Sequence, residues 1–307
     1  MHTVETLIFF VFVALATYVD LFVLNKDHHE ISLGEAGVMS AAWTSLSLLF
    51  SGYVFVRYGQ ELWMQFLAGY ALEEALSIDN LFVIAVIFKA FGVKGSQQRL
   101  ALSWGIIGAV AMRALLIFVG VGLVQRFHWL LPVFGFFLIF TGLKMFRDDA
   151  DAAKDIKDSQ VYRLASKVMP VYPGFDNDKI ITVQNGKRML TMLGMAIIMV
   201  EGTDLIFAID SIPAVMGIST DPFIVLTSNI FAVLGLRALY FLLAGILHKF
   251  RYLKVGLAFV LIFIGGKMVA LLFHVHVPTV LSLLIVLGTI AVSIVASLLI
   301  PEREKIR

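Results

Sequence analysis

The sequence predicts an all-α polytopic membrane protein of about nine transmembrane helices, with an inverted repeat of three helices in spans three to five and six to eight. Three observations carry this. Of 307 residues, 60% are hydrophobic and 15% charged, and the mean hydropathy is +0.91. Soluble domains carry about 45–50% apolar and about 25% charged residues, so this composition excludes a soluble enzyme, a disordered chain and a nucleic-acid binder with a basic face. The second observation is the division of the chain into apolar stretches of membrane-spanning length. The third is a set of polar residues that recurs inside them.

A bilayer core of about 30 Å needs about 20 mostly apolar helical residues. Stretches of that kind cover 5–24, 36–57, 63–88, 100–124, 128–146, 190–216, 222–247, 252–273 and 278–300. The first lacks a basic leader and contains Asp20, so it reads as a retained span. These divide the chain into an N-terminal two-helix segment (1–62), a first repeat (63–146), a loop (147–189), a second repeat (190–274) and a last helix with its tail (275–307). The loop has mixed charge and few apolar residues and reads as a solvated connector. Cytoplasmic loops carry excess Lys and Arg. With nine spans, 18 of the 24 basic residues fall on the side holding the loops after odd-numbered spans, and only Arg57 and Arg126 on the other. The expected orientation is therefore N-terminus outside and C-terminus cytoplasmic.

Residues 73–83 read EEALSIDNLFV and residues 204–214 read DLIFAIDSIPA. Aligning Asp79 with Asp210 sets Glu73 opposite Asp204 and Asn80 opposite Ser211. Downstream, Arg113 matches Arg237 and Lys144 matches Lys267, with intervals of 31 and 30 residues between Arg and Lys in the two copies. An odd number of spans per copy forces the second copy to enter the membrane from the opposite face. Folds of that plan place the substrate near the bilayer midplane, where the copies meet.

Ionisable groups inside a bilayer cost about 2.5–3.5 kcal/mol each at the helix centre, so their presence points to function. The intramembrane acids are Asp20, Glu73, Glu74, Asp79, Glu201, Asp204 and Asp210, and the bases are Arg113, Arg237, Lys144 and Lys267. The surplus of acids suits a cation path. Glu73, Asp79, Glu201, Asp204 and Asp210 are the expected metal ligands, with Asn80, Ser211 and Glu74 as additional candidates. Arg113, Arg237, Lys144, Lys267 and Asp20 are the expected charge partners, while Ser228 and Asn229 rank as weak candidates because small polar residues often serve helix packing. Pro213, inside a span, frees a backbone carbonyl. The chain has no cysteine, and its seven histidines lie near span ends or in loops. An all-oxygen ligand set suits Mg, Ca and Mn. No nucleophile–base pair or cofactor motif is recognisable, so neither catalysis nor a resident cofactor is expected.

The stretches EEALSIDNLFV, VEGTDLIFAIDSIPAV and TDPFIVLTSNIFAVLGLRALYFLLAG, with DLFVLNKDHHEIS near the first span, closely resemble the TerC family of bacterial integral membrane proteins and its Alx branch. The resemblance runs through most of the chain and is weakest in 147–170 and the last span. It implies manganese(II) export linked to metal stress and alkaline pH, with Glu73, Asp79, Glu201, Asp204 and Asp210 serving transport. At the position of Glu74 a related branch tolerates a basic residue. The expected cargo is Mn2+, exported by alternating access and exchanged for protons, with membrane lipid around the protein and no nucleic acid partner. The oligomeric state is open. A calcium or broad divalent-cation carrier and a non-transporting assembly factor are the alternatives.

Overall fold

The computed structural model describes residues 3–20, 31–147, 159–184, 186–244, 250–275 and 277–300, apart from the side chains of Thr3, Asp79, Arg147 and Arg251. These residues include ten α-helices, one small hairpin and a 3-10 turn (Leu271–Phe273) after α9: α1 (Thr3–Tyr18), α2 (Leu33–Tyr58), α3 (Gln60–Phe91), α4 (Ser96–Arg126), α5 (Leu130–Arg147), α6 (Gln160–Val168), β1 (Ile181–Gln184), β2 (Lys187–Leu190), α7 (Met192–Ile218), α8 (Pro222–Leu243), α9 (Arg251–Ala270) and α10 (Thr279–Leu299).

Local chemistry sets the helix ends. Ser32 accepts a hydrogen bond from the Glu35 amide and Thr191 from the Gly194 amide. Asp221 accepts from the amides of Phe223 and Ile224, with Pro222 opening α8. Each side chain satisfies an amide that has no partner within its helix. Gly92 ends α3 in the left-handed region at φ 71°, and the Val93 amide returns to the Phe88 carbonyl, a closure that glycine permits without a Cβ clash.

Six helices are long and apolar enough to cross a membrane by length and composition: α2, α4, α7, α8, α9 extended to Phe273, and α10. Two shorter apolar helices cover Val4–Tyr18 and Leu130–Phe146. The remaining predicted span, α3, has 32 residues but carries Glu61, Glu73, Glu74, Asp79 and Lys89. Leu49, Val56 and Phe273 are each at least 74% exposed, and lipid accommodates such faces where water does not. The chain is thus a multi-pass membrane protein.

Helix α8 is buried along almost its whole length and packs on α2, α3 and α4. Helix α7 packs on α3 and α4. Buried hydroxyls on α8 are satisfied within the helix: Thr227 donates to the Phe223 carbonyl and Ser228 to that of Ile224. Helix α5 lies along α9, and glycines allow their backbones to touch. A Cβ at Gly135 would stand 2.7 Å from the Gly265 carbonyl, and one at Gly142 2.7 Å from that of Ala258. Gly135→Leu is therefore expected to destabilise the fold by about 1–3 kcal/mol through overpacking, visible as a lowered melting temperature of the protein in detergent.

The loop expected as a solvated connector has structure of its own. Helix α6 packs on α7, and β1 and β2 form an antiparallel hairpin paired Ile181 with Leu190 through Gln184 with Lys187. Asp176 accepts hydrogen bonds from Thr182 Oγ1 (2.8 Å) and Lys179 Nζ (3.1 Å), which hold its carboxyl below the usual range. Such short elements carry little apolar signal, and their stability comes from the face they lay on the bundle. Residues 148–158 of this loop lie outside the described residues.

Candidate functional site

The centre of the molecule is a polar junction of α3, α4, α7 and α8. Arg113 on α4 is fully buried and binds two carboxylates. Its guanidinium grips Asp204 of α7 with a fork, Nη2 to Oδ1 at 2.9 Å and Nε to Oδ2 at 3.3 Å. Nη1 donates to Glu73 of α3 and to Asn229 Oδ1 of α8 at 3.0 Å. Asn229 Nδ2 then donates to the second oxygen of Glu73 at 3.0 Å. A planar guanidinium with donors in a fixed fork is suited to hold a carboxylate on each side. Each of the four helices contributes one side chain, and Glu73 and Asn229 are 0% exposed.

Helical period places further polar groups on the same faces. Glu73, Ser77 and Asn80 are all buried on α3, as are Asp204 and Ser211 on α7. Among the described residues, Ser77 Oγ, Ser211 Oγ and Glu74 Oε2 are buried without a hydrogen-bond partner. Glu201, one turn before Asp204, is half-buried and lies within electrostatic range of it. Its carboxylate fills the space beside Gly108 of α4 where a Cβ would stand. Glu74 lies within electrostatic range of Glu73 and turns toward Gly235 of α8. Asp210 is half-buried, within electrostatic range of exposed Lys144. Asp79 is on α3, about 120° around the helix from Glu73, with its side chain outside the described set.

The second arginine has a separate site. Arg237 of α8 binds Asp20 Oδ2 at 2.6 Å, just beyond α1, and donates to Ser103 Oγ of α4 at 3.2 Å. Lys267 is away from both arginines' partners and lines a cavity of about 310 Å³ with Gln65, Ser219, Thr220 and Asp221. The structure thus joins Glu73 and Asp204 through Arg113 and sets Glu201 near Asp204, whereas Asp210 lies near Lys144. Among the described residues no three His, Cys, Asp or Glu side chains gather as a ready-made metal cage. Asn229 is central to the network although the sequence ranks it low. Its one legible signal is an amide in an otherwise apolar stretch, one residue after Ser228.

The fold and this buried charge network define a polytopic membrane protein with an ionised interior. The family model described as "Integral membrane protein TerC family" matches residues 58–305, and the chain belongs to that family. It is 46% identical over 293 residues to "Uncharacterized membrane protein STKORF319" of Myxococcus xanthus, covering 95% of this chain and 91% of that one. It is 40% identical over 296 residues to "Putative membrane-bound redox modulator Alx" of Escherichia coli strain K12, covering 94% and 92%. A membrane protein of Rickettsia felis is 36% identical over 293 residues, covering 95% and 97%. No solved structure matches the chain.

Proposed function

We propose that the protein is a secondary transporter that exports manganese(II) from the cytoplasm by alternating access, in exchange for protons. The observation that carries this reading is the charge count at the centre. Glu73 and Glu74 on α3 and Glu201 and Asp204 on α7 are accompanied by one paired cation among the described residues, Arg113. Isolated charge in a low-dielectric interior is costly, so the surplus carboxylates call for protons or a mobile cation. The orphaned oxygens of Ser77, Ser211 and Glu74 add hard donors on the same helices, the ligand chemistry of Mn, Mg and Ca. In this reading Glu73, Asp79, Glu201, Asp204 and Asp210 receive the ion, with Asn80, Ser211 and Glu74 in support. Arg113 acts as the built-in competitor: it keeps Glu73 and Asp204 paired until the ion displaces it.

Helix pairing supports an inverted repeat of α3–α5 and α7–α9. The contact of α3 with α8 has its counterpart in that of α4 with α7. The pairs α3–α7, α4–α8 and α5–α9 are each their own counterpart. The orientation that goes with nine spans puts the N-terminus outside and the C-terminus in the cytoplasm of the bacterial inner membrane. Asp79→Asn and Asp210→Asn are expected to raise cellular manganese and impair growth in excess manganese. Export at the wild-type level by both variants at equal expression would remove these residues from the site.

The name of the Escherichia coli relative suggests a redox role. This chain has no cysteine, which leaves no thiol for exchange, and control of a redox-active metal accounts for such an effect without one. Oxygen ligands also fit calcium, and metal competition in proteoliposomes separates the two cargoes.

Gly108→Ala provides a further test. A methyl there overlaps the Glu201 carboxylate, so the variant is expected to lose most export while keeping its melting temperature within a few degrees. Unchanged export would show that the seat of Glu201 is immaterial.

A further inference from the structure

Helix α1 is thinly packed. Its main neighbour is α8, met through Phe9, whose ring stands 5.6 Å from Phe231 of α8 and 5.7 Å from Phe50 of α2. Beside this contact a crevice of about 480 Å³ lies between α1 and α2, with Phe231 of α8 also lining it. Ile8 and Phe12 line it from α1, and Leu46 and Leu49 from α2. Ile8 and Leu49 are exposed, so the crevice opens outward. The lining is apolar except at one end, where Glu5 and Tyr53 sit. Arg57 Nη2 stands 3.6 Å from Glu5 Oε1 at that end, and both side chains are reachable from outside.

The polar end lies at an edge of the bilayer. Helix α2 stops at Tyr58, and the chain turns back at Gly59 into α3, because Phe55 meets Trp63 at 5.4 Å and Phe50 meets Phe66 at 5.5 Å. Tyr58 meets Phe223 at the start of α8 at 5.7 Å, and Gln125 at the end of α4 donates to the Thr220 carbonyl between α7 and α8 at 3.4 Å. Four helices of membrane-spanning length, α2, α4, α7 and α8, thus begin or end together here. Tyr53, Tyr58 and Trp63 gather beside Arg57 and Glu61 at this level, as aromatic belts do at a membrane–water boundary. By helix rise Leu46 lies about 16 Å below Arg57, half of a hydrocarbon core of about 30 Å. The crevice therefore spans one leaflet. An exposed ion pair contributes little by itself, so a headgroup can replace either partner. We propose that the crevice is a lipid site: one acyl chain of a zwitterionic aminophospholipid lies between α1 and α2, with its phosphate on Arg57 and its ammonium on Glu5. An anionic phospholipid matches only the first of these charges. The bound chain completes the packing of α1, and the site does not require that the cargo be manganese.

The test is native mass spectrometry of the full-length protein, delipidated in detergent and then given equal amounts of phosphatidylethanolamine and phosphatidylglycerol. One phospholipid per chain is expected to stay bound, with phosphatidylethanolamine in excess. Arg57→Gln is expected to lower the bound fraction of both lipids by about fivefold, the worth of one basic residue beside a phospholipid surface. Glu5→Gln is expected to keep a lipid bound and lose the preference between the two. Ile8→Trp with Leu49→Trp brings an indole in from each side of the crevice and is expected to strip the lipid with the charges intact. Arg57→Gln, at an exposed position, decides the matter if the tryptophan pair does not fold. The proposal is overturned if the wild type retains no phospholipid, or retains both kinds equally. It is also overturned if Arg57→Gln or the tryptophan pair, folded, binds lipid as the wild type does, or if dimers appear in place of lipid adducts and mark a second copy as the occupant.

Discussion

Replacement of Arg113 by leucine is expected to leave Glu73 and Asp204 facing each other without a cation, and to cost about 3–5 kcal/mol of stability. The guanidinium makes hydrogen bonds to three helices at once, and none of its three partners has another cation beside it among the described residues. Asn229 would also lose the donor to its carbonyl oxygen. The expected readout is loss of a monodisperse peak after detergent extraction and a large fall in melting temperature. Combining Arg113→Leu with Glu73→Gln and Asp204→Asn removes the opposed charges together and is expected to restore much of the stability, because replacing a whole buried ion pair costs far less than breaking it. The triple variant should fold without transporting. If it exported manganese at the wild-type rate, the network would be helix glue and nothing more.

Asp204→Asn alone is expected to be the most damaging single change to transport. Asp204 holds the bidentate arm of Arg113 and lies within electrostatic range of Glu201. An amide offers one acceptor oxygen in place of two and no charge, so it weakens both the arginine fork and any divalent ion. Export should fall by about 30- to 140-fold if about two to three kcal/mol of ion or arginine interaction is lost, each 1.4 kcal/mol being tenfold. Asp204→Glu keeps the charge and is expected to recover part of it. Metal content of cells grown in excess manganese, at matched expression, separates these outcomes.

The helices of the bundle were legible because the bilayer demands long apolar stretches, and six of the expected stretches form helices long and apolar enough to cross a membrane. Glycine and capping residues such as Gly92, Thr191 and Asp221 moved the ends by only a few positions. Charge partnership was less legible. Arg113 and Arg237 sit in similar stretches, AMRALLIF and GLRALYFL, yet one binds Glu73 and Asp204 while the other binds Asp20. Spacing along a helix gives the face a residue occupies, but which neighbour it meets depends on how four helices cross. Asn229 escaped for the same reason. Helix α6 escaped because nine residues carry too little apolar signal to stand out from a charged loop, and its clue was the capping Ser159 followed by Val161, Ala165 and Val168 at helical spacing.

The proposed export requires that this chain itself moves manganese. The most direct measurement is flux into vesicles holding the purified protein and a manganese-sensitive dye, with a pH gradient across the membrane. Manganese movement is expected to exceed that of protein-free vesicles, to be accompanied by proton movement in the opposite direction, and to vanish in Asp204→Asn. An absence of flux from well-folded protein under either direction of gradient, together with a stable partner complex in cell extracts, would contradict manganese export and point to an assembly role.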